Sequence, residues 1–452
     1  MDRRLFLNQV GIGSLTVASA AIGINNAAEA GNTLVSEASK SAALKESALS
    51  VSADLTKIIT DPSLLQKPDN LVVACYTFPN YHPSAIHNKL YGPGWTEYNL
   101  LRPARPWFEG HQQPRGPLLG ELDESKPGTW EKYNTIARQH GIDVLIWDWY
   151  WYDGKPALHE ALEDGFLKAS NKDDVKFACM WTNHSWYILF PTMQTNGIPK
   201  YPPSYAPPDK DLDTSWQSMS YIVSRYFHLP NYWKIDGKPV LCIWDPNHLE
   251  KSIGITGTKK LIADLREYAK SLGHEGIHIH ASGFYSPNCK EEGYDTSGSY
   301  NPLDWSASRF QPKENEICDY EIAAADVVTK IWPEEYKKKT IPYIPAVAPG
   351  WDSTPRYIPR HPRPQKPNRD VWPGCTIFKN ESPAAFKAFV QASFAYLNQH
   401  KNVPSILTVA CFNEWTEGHY LLPDNRFGYG MLDALAEALG IENTIMLPGN
   451  EL

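Results

Sequence analysis

The chain has no Cys-x-x-Cys pair, no Gly-x-Gly-x-x-Gly loop after its first strand-like run and no internal repeat. Beyond the first thirty residues it also lacks an apolar run near the roughly 20 residues that span a bilayer. The first absence leaves a zinc ribbon or a thioredoxin-like redox centre without support. The second removes a dinucleotide-binding fold, and the third a solenoid. Basic residues are also short: 43 Lys and Arg stand against 51 Asp and Glu, a net charge of −8. Phosphate binding needs a basic surface, so nucleic acid is excluded as the main partner. Cysteine is sparse, at seven in 452 residues. Cys75, Cys179, Cys242 and Cys411 sit inside short apolar runs and read as buried core residues. Cys289, Cys318 and Cys375 read as loop residues available for one bridge.

What is abundant points elsewhere. Hydrophobic residues make up 42% and charged residues 21%, the balance of a folded soluble chain. Sixteen Trp and 24 Tyr suggest flat binding platforms, and 37 Pro suggest long ordered loops. The start, Met1-Asp2-Arg3-Arg4-Leu5-Phe6-Leu7, is followed by an uncharged stretch and Ala28-Glu29-Ala30. This layout is expected of an export signal over 1–30, twin-arginine-like, delivering the protein to the periplasm or outside. Residues 31–67 are expected to be a flexible spacer, 68–440 the catalytic domain and 441–452 a tail.

Apolar runs recur at 71–76, 143–147, 175–180, 239–244, 276–281, 296–300, 341–347 and 405–412. Helical patterns separate them at 130–140, 157–169, 215–227, 258–272, 320–338 and 383–400, with another at 430–439. Runs without clean polar alternation are strands buried on both faces, as in parallel sheets. Seven or eight strand–helix units, the run at 296–300 being the weakest, predict a (β/α)8 barrel with a doubly wound sheet as the runner-up, in either case a single α/β domain with long Pro-rich loops at 196–214 and 349–375.

In a barrel the C-terminal strand ends meet at one rim. Those ends carry Tyr76 with His82; Asp148, Trp149 and Tyr150; Trp181 and Asn183; Asp245; and His280. Aromatic faces stack on sugar C–H faces, and carboxyl and amide groups match sugar hydroxyls. A carbohydrate substrate is the partner this set fits. His278 and His280 share a strand face, but no third ligand is evident, so no metal and no cofactor are expected. The last run leads into Asn413-Glu414-Trp415-Thr416-Glu417-Gly418. Glycoside cleavage needs two carboxyl groups, one protonated and one ionised. Residues three apart on a strand point to opposite sides, so the segment must turn after Glu414, and Gly418 permits it.

This segment resembles the Asn-Glu-Trp-x-Glu-Gly signature of the glycoside hydrolase family 99-like group, which includes proteins labelled WbsX. The resemblance extends to Tyr76–His82 with Pro83, to Gly94-Trp95-Thr96-Glu97-Tyr98, to the block at 110–117 and to Trp351-Asp352-Ser353-Thr354-Pro355-Arg356. It implies a retaining, endo-α-mannosidase-like hydrolase. Carried over, Glu414 deprotonates the sugar 2-hydroxyl, a 1,2-anhydro sugar forms, and Glu417 is the general acid/base. Family 99 usually has His between the acids, where this chain has Thr416. Trp95, Glu97, His111, Arg115, Trp351, Asn413 and Trp415 join the expected substrate contacts. Asp352 and Arg356 are either substrate contacts or partners of one another. Two alternatives remain: a WbsX-type glycosyltransferase, or an inactive barrel that binds glycan.

Overall fold

Eight parallel strands follow the eight apolar runs in a computed structural model that describes residues 55–59, 61–186, 205–283, 285–303, 317–356 and 377–441. They are β1 (Val72–Thr77), β2 (Val144–Tyr152), β3 (Lys176–Trp181), β4 (Lys238–Ile243), β5 (His278–Ala281), β6 (Thr296–Ser297), β7 (Ala346–Val347) and β8 (Ile406–Val409). Hydrogen-bonded neighbours run β7-β8-β1-β2-β3-β4-β5-β6. The ring closes just before β7: Ser297 N–H donates to Pro342 O (2.9 Å) and Ile344 N–H to Ser297 O (2.7 Å). The fold is the expected (β/α)8 barrel.

The helices start where the sequence supplies caps. Asp211, Asp245 and Ser382 each accept a backbone N–H in the first turn of Leu212–Tyr226, Pro246–Ser271 and Pro383–Gln399. Pro246 and Pro383 occupy a first-turn position that needs no N–H. The helix expected at 157–169 is different. It is a short antiparallel strand, Lys155–Ala157, then a π-helical turn over Ala161–Gly165 and a 3-10 turn over Phe166–Lys168. Its contact with helix Pro127–Gln139 explains why. A Cβ on Gly165 would come within 2.1 Å of Glu124 O and 2.6 Å of the Trp130 ring, so the chain crosses too closely for a regular helix face.

The end of the expected spacer is also folded. Leu55–Ile58 and Pro62–Leu65 pack on helix Pro383–Gln399, where Asn398 Nδ2 donates to Leu64 O (3.0 Å) and Gln66 O (2.9 Å). The export segment, the rest of the spacer, most of the tail and the centres of both Pro-rich loops lie outside the described residues. Among the described residues, no helix is long and apolar enough to cross a membrane. Cys75, Cys179, Cys242 and Cys411 are buried free thiols, as expected. Cys289 corrects its expectation: it is a buried free thiol opening a short helix. Cys318 is buried on strand Ile317–Asp319, and Cys375 lies outside the described residues.

Strand register sets which side chains face inward. Thr408, Ala74 and Val144 are lateral neighbours, as are Tyr76, Ile146 and Ala178, and Asp148, Met180 and Cys242. Successive residues alternate faces, so Tyr76, Asp148 and Tyr150 point into the barrel and Trp147, Trp149, Trp151 and Trp181 point out to the helices.

Candidate active site

After β8 the chain folds into a small hairpin. Asn413–Glu414 pairs antiparallel with His419–Tyr420, and Trp415–Glu417 forms one 3-10 turn between them. Gly418 closes the turn at φ 65°. A Cβ there would lie 2.7 Å from Asp352 N, and Asp352 N–H donates to Glu417 O at 2.7 Å. Both the left-handed backbone and the close approach require glycine. Gly418→Ala is expected to destabilise the fold by about 1–3 kcal/mol and to cut turnover with it, read by thermal melting beside an activity assay.

The turn brings Glu414 and Glu417 to one side, each with under 5% of its surface exposed. Arg356, from the turn Thr354–Arg356 after β7, lies between them. Its Nη2 donates to Glu414 Oε1 (2.7 Å), its Nη1 to Glu417 Oε1, and its Nε to Thr416 Oγ1 (2.9 Å). Thr416 Oγ1 in turn donates to Glu97 Oε2 (2.6 Å), and Arg356 Nη2 reaches the same oxygen at 3.5 Å. Three buried carboxyls therefore share one guanidinium. His419 Nε2 lies 3.0 Å from Glu417 Oε2.

Burial pushes the Glu414 carboxyl well above the usual range. Arg356 opposes that rise, while Glu417, Glu97 and Asp148 add to it. Glu97 is raised as well, chiefly by burial. Donor atoms of Glu414, Glu417 and His419 lie within 4.8 Å of one another, close enough to hold a metal ion. The guanidinium already spans both carboxyls, so a cation there would have to displace it.

Several expected residues meet here. Asp148 accepts from Tyr300 Oη at 3.3 Å, and the Tyr300 ring lies 4.7 Å from Tyr76 and 5.8 Å from His419. Trp351 packs 4.9 Å from His419. Tyr150 faces inward beside His184 and Trp186. Trp95 stacks on Tyr91 at 4.2 Å and meets His87 edge-on.

Other expected residues brace rather than face the pair. Asn413 spends its whole amide: Oδ1 accepts from Phe78 N–H (2.8 Å), and Nδ2 donates to Phe78 O and Glu124 (both 2.7 Å). Asp352 and Arg356 do not pair with each other. Asp352 instead takes His111 Nε2 (2.8 Å), Gln113 Nε2 (2.7 Å) and Thr354 Oγ1 (2.7 Å). Trp107 N–H donates to His111 Nδ1 (3.0 Å), so the proton of His111 sits on Nε2 and points at Asp352. Burial raises the Asp352 carboxyl, but His111 and Arg115 outweigh it and hold it well below the usual range. Arg115 also donates to Glu381 (2.7 Å).

Further from the pair, Asn183 donates to Asp209 (2.7 Å) and Asp245 O (2.9 Å), and Asp245 caps its helix through His248 N–H. His82 meets Glu160 at 3.3 Å. His280 shares Thr296 Oγ1 with His278 inside the barrel, and burial lowers it to about 3. Trp415 is buried against Tyr420 at 4.1 Å.

Trp149 and Trp181 stand on the outer face of the sheet. Trp149 Nε1 donates to Tyr226 Oη (3.2 Å), and its ring stacks on Tyr221 and Trp151. Trp149→Ala is expected to cost about 3–5 kcal/mol of stability with KM unchanged for the folded fraction, separable by denaturant melts and steady-state kinetics. Thr416, His419 and Tyr300 were absent from the expected contacts. The signal for His419 was its place two residues beyond Glu417, on the returning strand of the hairpin.

The same overall shape occurs in a solved protein. A "glycoside hydrolase-like protein" superposes with a TM-score of 0.53 at 12% identity, over 83% of this chain and 95% of that one. The GH99 endo-alpha-mannosidase from Bacteroides thetaiotaomicron has 16% identity and a TM-score of 0.48, over 82% of this chain and 96% of that one. The uncharacterised protein WxcX of Xanthomonas campestris pv. campestris is 25% identical over 389 residues, 82% of this chain. This chain spans about half the length of that relative. Residues 72–435, from the first barrel strand into the last helix and including Arg356 and both glutamates, match the model of the family described as glycosyltransferase WbsX. The chain belongs to the WbsX family.

Proposed function

We propose that this is an exported glycoside hydrolase, cleaving an α-linked glycan with retention of anomeric configuration through Glu414 and Glu417. The observation that carries the reading is the pair itself, two buried carboxyls at the C-terminal mouth of the barrel, with donor atoms within 4.8 Å. Export rests on the sequence of residues 1–30.

In this reading Glu414 takes the proton of the sugar 2-hydroxyl, and that oxygen attacks the anomeric carbon. Glu417 gives its proton to the leaving oxygen as the glycosidic bond breaks. Water then opens the 1,2-anhydro sugar, with Glu417 as base and the 2-oxygen regaining a proton from Glu414. One observation favours exchanged roles. Glu414 is the carboxyl driven toward its neutral form, while Glu417 sits against both Arg356 and His419. A substrate with an activated leaving group separates the two assignments, because it needs little acid assistance. Activity retained by Glu417→Gln supports the roles above. Activity retained by Glu414→Gln instead exchanges them.

The family description favours a second reading, transfer from a nucleotide sugar. NMR of the reaction tests the class. Release of the α-anomer before mutarotation supports retaining hydrolysis. Saturable nucleotide-sugar binding without glycan cleavage supports transfer.

A further inference from the structure

A second pair of carboxyls sits on the same mouth of the barrel. Glu250 lies on the helical segment that follows β4 and breaks at Gly254 (φ 75°), and Glu292 ends the short helix Cys289–Glu292 after β5. Ser286 Oγ donates to Glu250, and Asn288 Nδ2 donates to both its oxygens at 3.1 Å. Glu292 stands one turn after Asn288, its N–H donating to Asn288 O (3.0 Å), and burial and then the Glu250 charge push its carboxyl up to about 8. It is wholly buried, and among the described residues neither of its oxygens has a hydrogen-bond partner. The Tyr294 hydroxyl, also buried without a partner, lies in the field of both carboxyls. Among the described residues, neither Glu250 nor Glu292 forms an ion pair. Lys339, on the neighbouring segment, is taken by Glu335 (2.9 Å) and by the face of Tyr285 (3.2 Å). Exposed Glu291 adds further negative charge.

Two neighbouring carboxyls, one wholly buried and one half-buried, repel unless a proton or a cation is shared between them. The Ser286 hydroxyl and the Asn288 amide, whose two ends exchange by a half-turn, add oxygens beside the two carboxyls, and the buried Cys289 thiol lies in the field of both. Hard oxygen donors without fixed octahedral geometry suit calcium, which takes 6–8 oxygens in flexible arrangements. We propose that Glu250 and Glu292 bind a calcium ion, which ties the loop after β4 to the short helix after β5. The inference does not depend on the hydrolase reading.

The test is thermal melting of the full chain, stripped with EDTA and then supplied with excess calcium chloride. The expected result is a rise of about 3 °C in Tm. Glu292→Gln should abolish the rise, and Glu250→Gln provides the same test should the first variant fail to fold. Glu417→Gln should keep the rise, since its carboxyl belongs to the separate cluster with Glu414 and His419. An unchanged Tm with calcium in the wild type overturns the proposal, as does a rise that survives both Glu250→Gln and Glu292→Gln or vanishes in Glu417→Gln. A calcium-independent protein that Glu292→Gln stabilises above about pH 8 overturns it in favour of a shared proton.

Discussion

Glu417→Gln is expected to lower kcat on an α-linked glycan by roughly 10²–10⁴-fold, the range for losing a positioned acid or base. The amide keeps an acceptor for Arg356 but cannot deliver a proton. Folding should survive, because the hairpin is held from outside the pair. Asn413 ties it to Phe78, Gly418 fits against Asp352, and Thr416 N–H donates to Tyr81 Oη at 3.1 Å. Circular dichroism and a melt near that of the wild type, beside lost turnover, separate chemistry from collapse. Near-wild-type turnover in this variant removes Glu417 from the mechanism.

Arg356→Ala should have the larger effect on stability. Arg356 is the guanidinium shared by Glu97, Glu414 and Glu417. Removing one partner of a buried ion pair costs about 3–5 kcal/mol, because charges are left buried and unpaired. The pH dependence has a definite sign. Glu414 is already raised in the folded state, and Arg356 is the group that lowers it. Without Arg356 it rises further, so the folded state holds that proton more tightly than the unfolded chain does. The resulting stability is fully present below the unfolded value of about 4.3 and is lost as pH climbs through the folded one. Melts at a series of pH values should therefore show the deficit against wild type smallest near about pH 4 and growing toward neutrality. A pH-independent deficit would assign Arg356 a packing role alone.

The barrel was legible because each strand is a short apolar run bounded by helical pattern, and all eight runs became strands. The turn at Glu414 was legible for a similar reason. Two acids three apart can share a site only if the strand breaks, and Gly418 marks the break. The tryptophans were harder to place. In β2, Trp147, Trp149 and Trp151 alternate with Asp148, Tyr150 and Tyr152, and both faces are buried. Burial therefore says nothing about direction, and only the period of two separates inward from outward. Asp245 before Pro246 is a helix-start signal, and it serves there as a cap. The Arg356 clamp was not legible, because it joins side chains 58 to 259 residues apart, and a single sequence does not show which loops meet.

The central claim is tested most directly by mass spectrometry of a mixed α-glycan pool, incubated with the wild-type protein or with Glu417→Gln. New shorter glycans from the wild type alone are the predicted result, and their masses give the class and number of sugar units released. An unchanged pool with the wild type, together with tight binding of an intact glycan, would contradict hydrolysis and leave a barrel that only binds.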